Sequence, residues 1–455
     1  MKKTNLKTSL NSLFVSAQRR RGEMEETMKV LIISHVPCSS YEAMGITFCS
    51  LFKNFKKEEL CQLYFYPSIP DVDVCTSYYQ ITDYDLVDAL MIKDVKGRKV
   101  NPDLKRHTLY TNEKDARIFS KSNNHSSIKL ILRDLLWKKS KVINSNLDRW
   151  IKSEKPTCIF VAPGGYSFTY DIVVKISEKF NLPIISYICD EYFFVKKQKN
   201  LLWNYHQNKV ETSMLNFFKK TDHIIGICDE ISNNYGKYFN CNATTICTGS
   251  RISLKSITEN KSNLRTISYF GNIVGFKRYK SLIDVGKCLE EINCENNTDY
   301  SLDIYSGDRD QDILNEIRSV KTINFKGYLS GKDFEEAFSN AEILLHVEAF
   351  NENTIEQVKN SVSTKIADSL ASGIPLLAYA PGNIASINHL KRNKCAFVAT
   401  NYNELKKAIK LVFRNKELRI QVTKQALKTA KKYHDSERNS KQLREILEKY
   451  DDRRE

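Results

Sequence analysis

Residues 363–379 read STKIADSLASGIPLLAY, which combines a helix start, a helix end and a buried strand in one stretch. Ser363 or Thr364 can cap the helix, which leaves the amides of its first turn pointing at an anion. Gly373 ends the helix and Pro375 opens an apolar strand. A helix that leads through a tight turn into a buried strand is typical of α/β folds. The stretch therefore predicts an α/β protein in which this helix start can bind a phosphate.

Two charged residues of the same helix extend this prediction. Lys365 adds a cation at the helix start, and Asp368 follows on the same face of the helix. Phosphate near the cap and hydroxyl groups near Asp368 would suit a nucleotide. The alternative is an ordinary capped helix in which Lys365 and Asp368 form an ion pair, and this stretch by itself does not decide between the two.

Length and composition predict a globular protein with more than one domain. The chain has 455 residues, of which 41% are hydrophobic and 27% are charged, so two or three domains with full cores are expected. No apolar run approaches the roughly 20 residues that a membrane-spanning helix needs. Residues 1–27 carry three arginines but no secretory hydrophobic region, and we expect a flexible basic extension there. The 12 cysteines lack metal-binding spacing and predict reduced core residues of a cytoplasmic protein.

The net charge of +16 implies anionic partners, which include nucleic acid, lipid headgroups and phosphorylated ligands. Aromatic and basic residues are not interleaved in a recognisable nucleic-acid-binding module, so no nucleic-acid partner is expected. The histidines are dispersed, and no metal site is expected. Residues 128–139 predict an amphipathic helix, and Trp137, Trp150 and the lysines between them could rest on an anionic membrane surface. The alternative is a helix packed against the protein.

Short apolar segments alternate with amphipathic ones from residue 29 onward. Continuous apolar strands fit a parallel sheet that is covered on both faces. We predict a doubly wound domain over 28–250, with an irregular insertion at about 67–127. Its strands are predicted at 29–34, 158–163, 183–189 and 223–228, and its helices at 41–54, 168–180, 199–219 and 229–239.

The second half repeats this pattern after a polar linker at 251–263. A second Rossmann-like domain is predicted over 264–430, followed at 431–455 by a helix that can cross back to the first domain. The predicted fold class is α/β, with two tandem Rossmann-like domains, a cleft between them and C-terminal helices. The strands of the second domain are predicted at 265–271, 301–307, 322–327, 342–349, 375–380 and 395–400.

Ligands of such sheets bind at the carboxyl ends of the strands, and the segment after residue 270 has suitable residues. Gly271 and Asn272 follow a strand, and Gly271 lets a backbone approach a ligand closely. Lys277 and Arg278 lie at the following helix start, where they can neutralise a diphosphate. The alternative is an ordinary turn before a solvated basic helix.

Two other strand ends of the second domain add candidates for binding a ligand. Glu348 ends the strand at 342–349 and can bind sugar hydroxyls. Gly327 and Tyr328 end another strand and can line a pocket for a nucleobase. The alternative at Gly327 is a tight turn with a half-buried tyrosine.

The first domain also offers candidates for binding a ligand. Ser40 can bind a hydroxyl group and Gly45 allows a tight approach, both in the first turn between strand and helix. Asp190 and Glu191 end a strand and can orient or deprotonate an acceptor hydroxyl. The alternative is a capping Asp190 beside a surface Glu191. The turn lacks the Gly-x-Gly-x-x-Gly pattern, and the chain has no P-loop motif, which disfavours nicotinamide enzymes and excludes P-loop ATPases.

With these residues, the chain resembles the retaining glycosyltransferases of family 4, which have the GT-B fold, over residues 28 to about 450. In that family's donor signature, an acidic residue five positions before a glycine contacts the nucleotide ribose. Asp368 has this position, where family members usually have glutamate, and the family's other glutamate falls on Asn360. The start of the helix is similar to a branch of the family with Ser-x-Lys, which implies that Ser363, Thr364 and Lys365 lie at the diphosphate.

The segment GNIVGFKR, residues 271–278, is similar to the family's donor-phosphate segment. The resemblance implies that Gly271, Lys277 and Arg278 lie at the donor phosphates, with Asn272 where the family has arginine. Gly45 and Asp190 fall where the family places its first glycine-bearing loop and an acceptor-side residue.

The resemblance implies transfer of a sugar from a nucleotide diphosphate sugar to a glycan or lipid-linked glycan, with retention of configuration and without a metal cofactor. It also implies that the domain at 264–430 binds the nucleotide sugar and that the domain at 28–250 binds the acceptor. Asp190 and Lys277 would be the catalytic residues, and Lys277 would stabilise the departing diphosphate with the helix start. We expect a role in polysaccharide or glycolipid synthesis, in the cytoplasm or at the inner membrane face. The altered glutamate pair leaves open an inert glycan-binding protein or a sugar-nucleotide epimerase.

Overall fold

The computed structural model describes residues 28–92, 95–105, 110, 114, 127–195, 200–257 and 263–451. The predicted extension at 1–27 lies outside the described residues. The described chain forms two mainly parallel sheets, each covered by helices on both faces.

The sheet of the first domain has eight strands in the order β4-β3-β2-β1-β5-β6-β7-β8. Neighbouring strands are parallel except for β3 and β4. Every residue of β1, β2 and β5 is buried, because helices cover both faces of the sheet. The strands are β1 (Val30–Ser34), β2 (Leu60–Tyr64), β3 (Ser77–Gln80), β4 (Arg98–Val100), β5 (Cys158–Ala162), β6 (Ile184–Ile188), β7 (His223–Gly226) and β8 (Ala243–Thr245).

Five of the seven α-helices in the described part of the first domain lie where the sequence predicts them, and the helices Asp83–Ile92 and Ser145–Glu154 are additions. Residues 67–127 are predicted as an irregular insertion, but their described part contains β3, β4 and the helix Asp83–Ile92. The two strands extend the sheet, and the helix packs beside it. Trp137 and Trp150 are buried in the core rather than exposed toward a membrane. The helices are α1 (Ala43–Leu51), α2 (Asp83–Ile92), α3 (Ser127–Lys139), α4 (Ser145–Glu154), α5 (Ser167–Phe180), α6 (Leu201–Phe218) and α7 (Asp229–Phe239).

The second domain has a six-stranded sheet in the order β11-β10-β9-β12-β13-β14, and the paired strands are parallel. All six predicted strands are present. They are β9 (Thr266–Phe270), β10 (Ser301–Tyr305), β11 (Ile323–Gly327), β12 (Ile343–Val347), β13 (Leu376–Tyr379) and β14 (Phe397–Ala399). The helices between them are α8 (Arg278–Asn296), α9 (Gln311–Arg318), α10 (Gly331–Asn340), α11 (Glu352–Val358), α12 (Thr364–Ala371) and α13 (Ala385–Asn393).

Three helices, α14 (Tyr402–Arg414), α15 (Lys416–Tyr433) and α16 (Ser436–Asp451), complete the chain. The last of them, α16, packs against α1 and β5 of the first domain. Leu443 and Leu447 are fully buried there, and Tyr450 donates a hydrogen bond to the Asp222 carbonyl over 2.9 Å. The two domains are therefore joined by a shared core as well as by the linker, with the carboxyl ends of both sheets facing each other.

Candidate functional site

A cleft with a volume of about 2230 Å³ lies between the two domains. Its walls come from the segments that follow β1, β6 and β7 on one side and β9, β10, β11 and β12 on the other. Ligands of open parallel sheets bind at such carboxyl ends, so this cleft is the candidate site. The predicted site residues that line it are Ser40, Asp190, Glu191, Gly271, Asn272, Arg278, Tyr328, Glu348, Ser363, Thr364, Lys365 and Asp368. Gly45, Lys277 and Gly327 are not among the lining residues.

The start of α12 is open toward the cleft. Ser363 has the N-cap position, but its side chain makes no capping hydrogen bond. Its own amide donates to Ser386 Oγ over 3.1 Å. The amides of Thr364 and Lys365 donate to no acceptor within the described parts of the chain. An unsatisfied helix start that faces a cleft attracts anions through its free amides and its partial positive charge.

Lys365 places a cation beside these amides. Its Nζ atom makes no hydrogen bond or ion pair with any described residue, and it lies 5.3 Å from the centre of the Tyr269 ring. Burial lowers the pKa of Lys365 to about 8, and the nearby Arg278 guanidinium adds to this effect. Lys365 is thus a partly buried cation with no ion-pair partner among the described residues, and an anionic ligand would supply one.

Gly271 allows Lys365 to occupy this position. Its φ angle is +147°, and a Cβ atom there would lie 1.7 Å from Lys365 Nζ. Any other residue would have to displace the end of the Lys365 side chain and would be strained at this φ angle. The sequence predicts Gly271 as a site of close approach, and the structure shows that the approaching group is Lys365.

Arg278 and Glu348 neutralise each other at the edge of the cleft. Arg278 Nε donates to Glu348 Oε2 over 2.9 Å, and its Nη2 donates to Oε1 over 3.0 Å. Burial raises the pKa of Glu348, and Arg278 opposes this shift. Ser281 also donates to the Glu348 carbonyl, so the pair holds the end of β12 against α8. Both oxygens of Glu348 are therefore engaged, which limits its predicted role in binding sugar hydroxyls.

Asp368 is paired with Arg251 rather than with Lys365. Its Oδ1 atom accepts from the Arg251 amide over 2.8 Å and from Ser250 Oγ over 3.2 Å. Its Oδ2 atom accepts from Arg251 Nε and Nη2 over 2.8 and 2.6 Å. Arg251 also lines the cleft. The linker between the domains is thus tied to the helix that carries the candidate anion site.

The loop after Gly271 is held by a residue that the sequence analysis does not identify. Asp308 Oδ2 accepts from the Ile273 amide over 2.6 Å, and its Oδ1 accepts from Asn272 Nδ2 over 3.2 Å. Lys277 follows this loop with a φ of +55° and is exposed outside the cleft. Lys277 is not among the residues that line the cleft, whereas Lys365 is.

Glu191 connects the two domains. Its Oε1 atom accepts from Tyr235 OH over 2.8 Å and from the amides of Phe193 and Phe194. Its Oε2 atom accepts from Asn360 Nδ2, across the domain interface, over 2.6 Å. Asn360, where the family has its other glutamate, therefore serves as a contact between domains.

The remaining candidates are distributed along the same walls. Asp190 lines the cleft and accepts a hydrogen bond from Tyr192 OH over 3.2 Å. The amide of Ser40 donates to Asp71 Oδ1 over 2.8 Å. Gly45 is buried in α1, where a Cβ atom would lie 2.2 Å from Ser39 Oγ, so it serves the packing of the helix.

The end of β11 presents Tyr328 to the cleft. Tyr328 is 74% exposed, and the preceding Gly327 has a φ of +79° with open space where a Cβ atom would be. The alternative interpretation of this turn predicts a half-buried tyrosine, whereas Tyr328 is mostly exposed and can contact a ligand.

Comparisons with known proteins agree with this architecture. Residues 287–445 match a family model described as glycosyl transferase-like. No curated protein matches the sequence. Among the described helices, none has the length and hydropathy of a membrane-spanning segment.

Solved structures resemble the chain over most of its length. Sucrose-phosphate synthase from Thermosynechococcus elongatus is 11% identical, with a TM-score of 0.60, and the match covers 93% of this chain and 98% of that one. HepE from Anabaena in complex with UDP is 11% identical, with a TM-score of 0.61 and coverage of 93% and 100%. The lipopolysaccharide outer core galactosyltransferase WaaB is 13% identical, with a TM-score of 0.52 and coverage of 93% and 100%. The predicted GT-B fold is confirmed, and the resemblance to glycosyltransferases is supported by the family model.

Proposed function

We propose that this chain is a glycosyltransferase that moves a sugar from a nucleotide diphosphate sugar to a hydroxyl group of an acceptor. The observation that carries the proposal is the open start of α12, where the amides of Thr364 and Lys365 and the uncompensated ammonium of Lys365 face one cleft. A diphosphate matches these groups in charge and in hydrogen bonding. HepE, which shares the fold, is described in complexes with UDP and with UDP-glucose.

The chemistry follows from this arrangement. As the bond between the sugar and the diphosphate breaks, negative charge builds up on the departing phosphate oxygen. Fixed amides and the Lys365 ammonium stabilise this charge more in the transition state than in the bound substrate, which lowers the barrier. Asp190 lies on the opposite wall, where it can orient the acceptor hydroxyl. Retention of configuration is part of the proposal and rests on the resemblance to family 4.

A finer proposal concerns the acceptor, a glycan or lipid-linked glycan used for polysaccharide or glycolipid synthesis at an anionic membrane. The support for this proposal is a group of exposed apolar side chains near the starts of α3 and α6. These two helix starts are neighbours, because Asn200 Nδ2 donates a hydrogen bond to Ser127 Oγ. The exposed residues are Ile128, Leu132, Leu201, Leu202 and Tyr205. Flotation with anionic liposomes should carry the protein upward, and L132D with L201D should prevent this. Equal flotation of the variant would contradict the membrane proposal.

A binding screen tests the function itself. We expect one nucleoside diphosphate among UDP, GDP, ADP and CDP to raise the melting temperature of the protein. When the protein is given sugar nucleotides that contain this diphosphate and a glycan acceptor, the free nucleoside diphosphate should be released. K365A should lose the stabilisation, while the exposed Lys280 provides a matched control, K280A. Absence of both binding and turnover would refute the proposal.

Analysis of the reaction product distinguishes a glycosyltransferase from the main alternative, a sugar-nucleotide epimerase. The altered glutamate pair, with Asn360 bound to Glu191 and Asp368 bound to Arg251, is the feature that motivates an epimerase. Nuclear magnetic resonance of the reaction should show a new glycosidic bond with retained configuration. An epimerised sugar nucleotide without transfer would favour the epimerase instead.

A further inference from the structure

One buried side chain of the cleft has no role in the site described above. His346 lies in β12, is only 6% exposed and lines the cleft. Leu345 and Val347 on either side of it pack into the core of the second domain. Because side chains alternate along a strand, His346 points to the opposite face of the sheet, toward the cleft floor.

The imidazole of His346 has a ring nitrogen with unused hydrogen-bonding capacity. Its Nε2 atom is buried and has no hydrogen-bond partner among the described residues. Buried polar groups are usually paired, and leaving one unpaired costs about 1–3 kcal/mol. Such an atom in a cleft is expected where a ligand supplies the missing partner.

The charges around His346 indicate what kind of ligand this is. Burial lowers the pKa of His346 to about 3, and the cations of Arg278 and Lys365 add to this effect. The imidazole is therefore neutral in the empty cleft and has one N–H donor. Arg278 is paired with Glu348, but the ammonium of Lys365 has no ion pair among the described residues and would repel a cationic ligand. With its proton on Nε2, the neutral ring has a free donor at that atom, and an oxygen of an anion fits both this donor and the charge of Lys365.

We propose that His346 is a direct ligand of the donor diphosphate, and that its ring nitrogen donates a hydrogen bond to a phosphate oxygen next to Lys365. This inference rests on the proposed function, because it assigns a further residue to the same donor site. The bound diphosphate brings negative charge close to the ring, so it favours the imidazolium form. Binding at mildly acidic pH is then accompanied by uptake of a proton from solvent, which a residue that only packs against the sheet would not cause.

Titration calorimetry tests the inference with the nucleoside diphosphate that stabilises the protein most among UDP, GDP, ADP and CDP. Measurements at pH 6 in buffers with different ionisation enthalpies count the protons taken up on binding. H346F removes the donor and should bind the diphosphate about tenfold or more weakly. H346Q keeps a neutral donor, so it should bind better than H346F but without the proton uptake at pH 6 seen in the unaltered protein. The matching nucleoside without phosphates should bind all three proteins equally.

The outcomes separate this inference from the function on which it rests. If the unaltered protein binds a nucleoside diphosphate, and H346Q and H346F match it in affinity and proton uptake, the inference is wrong and the donor site stands. If H346F fails to fold, the proton uptake of H346Q still decides. If the unaltered protein binds no nucleoside diphosphate, the proposed function fails and the role of His346 fails with it.

Discussion

Replacing Lys365 with methionine removes the uncompensated cation of the cleft while keeping an unbranched apolar side chain in its place. A hydrogen bond to a charged group contributes about 1.5–3 kcal/mol, which corresponds to roughly a 10- to 150-fold change in dissociation constant. Lys365 makes no ion pair with the described residues, so its charge is available to the ligand. We therefore expect K365M to bind the preferred nucleoside diphosphate at least tenfold more weakly.

The pH dependence gives this prediction a second, independent readout. The pKa of Lys365 is lowered to about 8 in the empty protein, and a bound diphosphate favours the protonated form, which raises the pKa in the complex. Below pH 8 the lysine is already charged, so affinity changes little. Above pH 8, binding requires proton uptake, and affinity falls by up to about tenfold per pH unit. K365M should not show this contribution.

Titration calorimetry between pH 7 and pH 9 measures both effects. K280M is the matched control, because Lys280 is exposed and does not line the cleft. It should bind like the unaltered protein at every pH. Equal affinity of K365M and the unaltered protein at pH 7, or the same decline of affinity above pH 8 in both, would refute the assignment of Lys365.

Three further predictions, which use four substitutions, concern the surroundings of this lysine. G271A places a Cβ atom 1.7 Å from Lys365 Nζ, so we expect at least tenfold weaker nucleotide binding with a folded protein by circular dichroism; unchanged binding would show that the close approach is not needed. R251A leaves the buried Asp368 without the guanidinium, and urea denaturation should show a loss of about 1–3 kcal/mol. Adding D368N should recover part of that loss, whereas simple additivity would mean that the two residues are not coupled. K277A should keep nucleotide affinity within about twofold because Lys277 is exposed outside the cleft, and a large loss would instead support the catalytic role predicted from the sequence.

The sequence predicts most of the fold because apolar runs report directly on buried parallel strands. All the predicted strands are present, but the sequence does not predict β2, β3, β4 and β8 of the first sheet. The reason is clearest for β2, LCQLY. Gln62 interrupts its apolar run, and only the structure shows why a buried glutamine is tolerated. Its side chain donates to Ser34 Oγ and the Val36 carbonyl, and it accepts from the Cys38 amide.

The sequence predicts those parts of the candidate site whose residues lie close together in the chain. The helix start at Thr364 and Lys365 is visible because cap, cation and glycine stop lie within one stretch. Arg251 pairs with Asp368 across 117 positions, and nothing in a polar linker marks an arginine as the partner of a distant helix. Asp308 likewise acts on a loop that lies 35 positions away. Contacts of this kind arise from the arrangement of strands, which local patterns do not contain.

The most direct test of the central claim is a crystal structure of the chain with its preferred nucleoside diphosphate. We predict phosphate oxygens at hydrogen-bonding distance, roughly 2.7–3.2 Å, from the amides of Thr364 and Lys365 and from Lys365 Nζ, with the nucleotide held by the second domain. A nucleotide bound on the wall of the first domain, or a diphosphate that leaves Lys365 without a contact, would contradict the account.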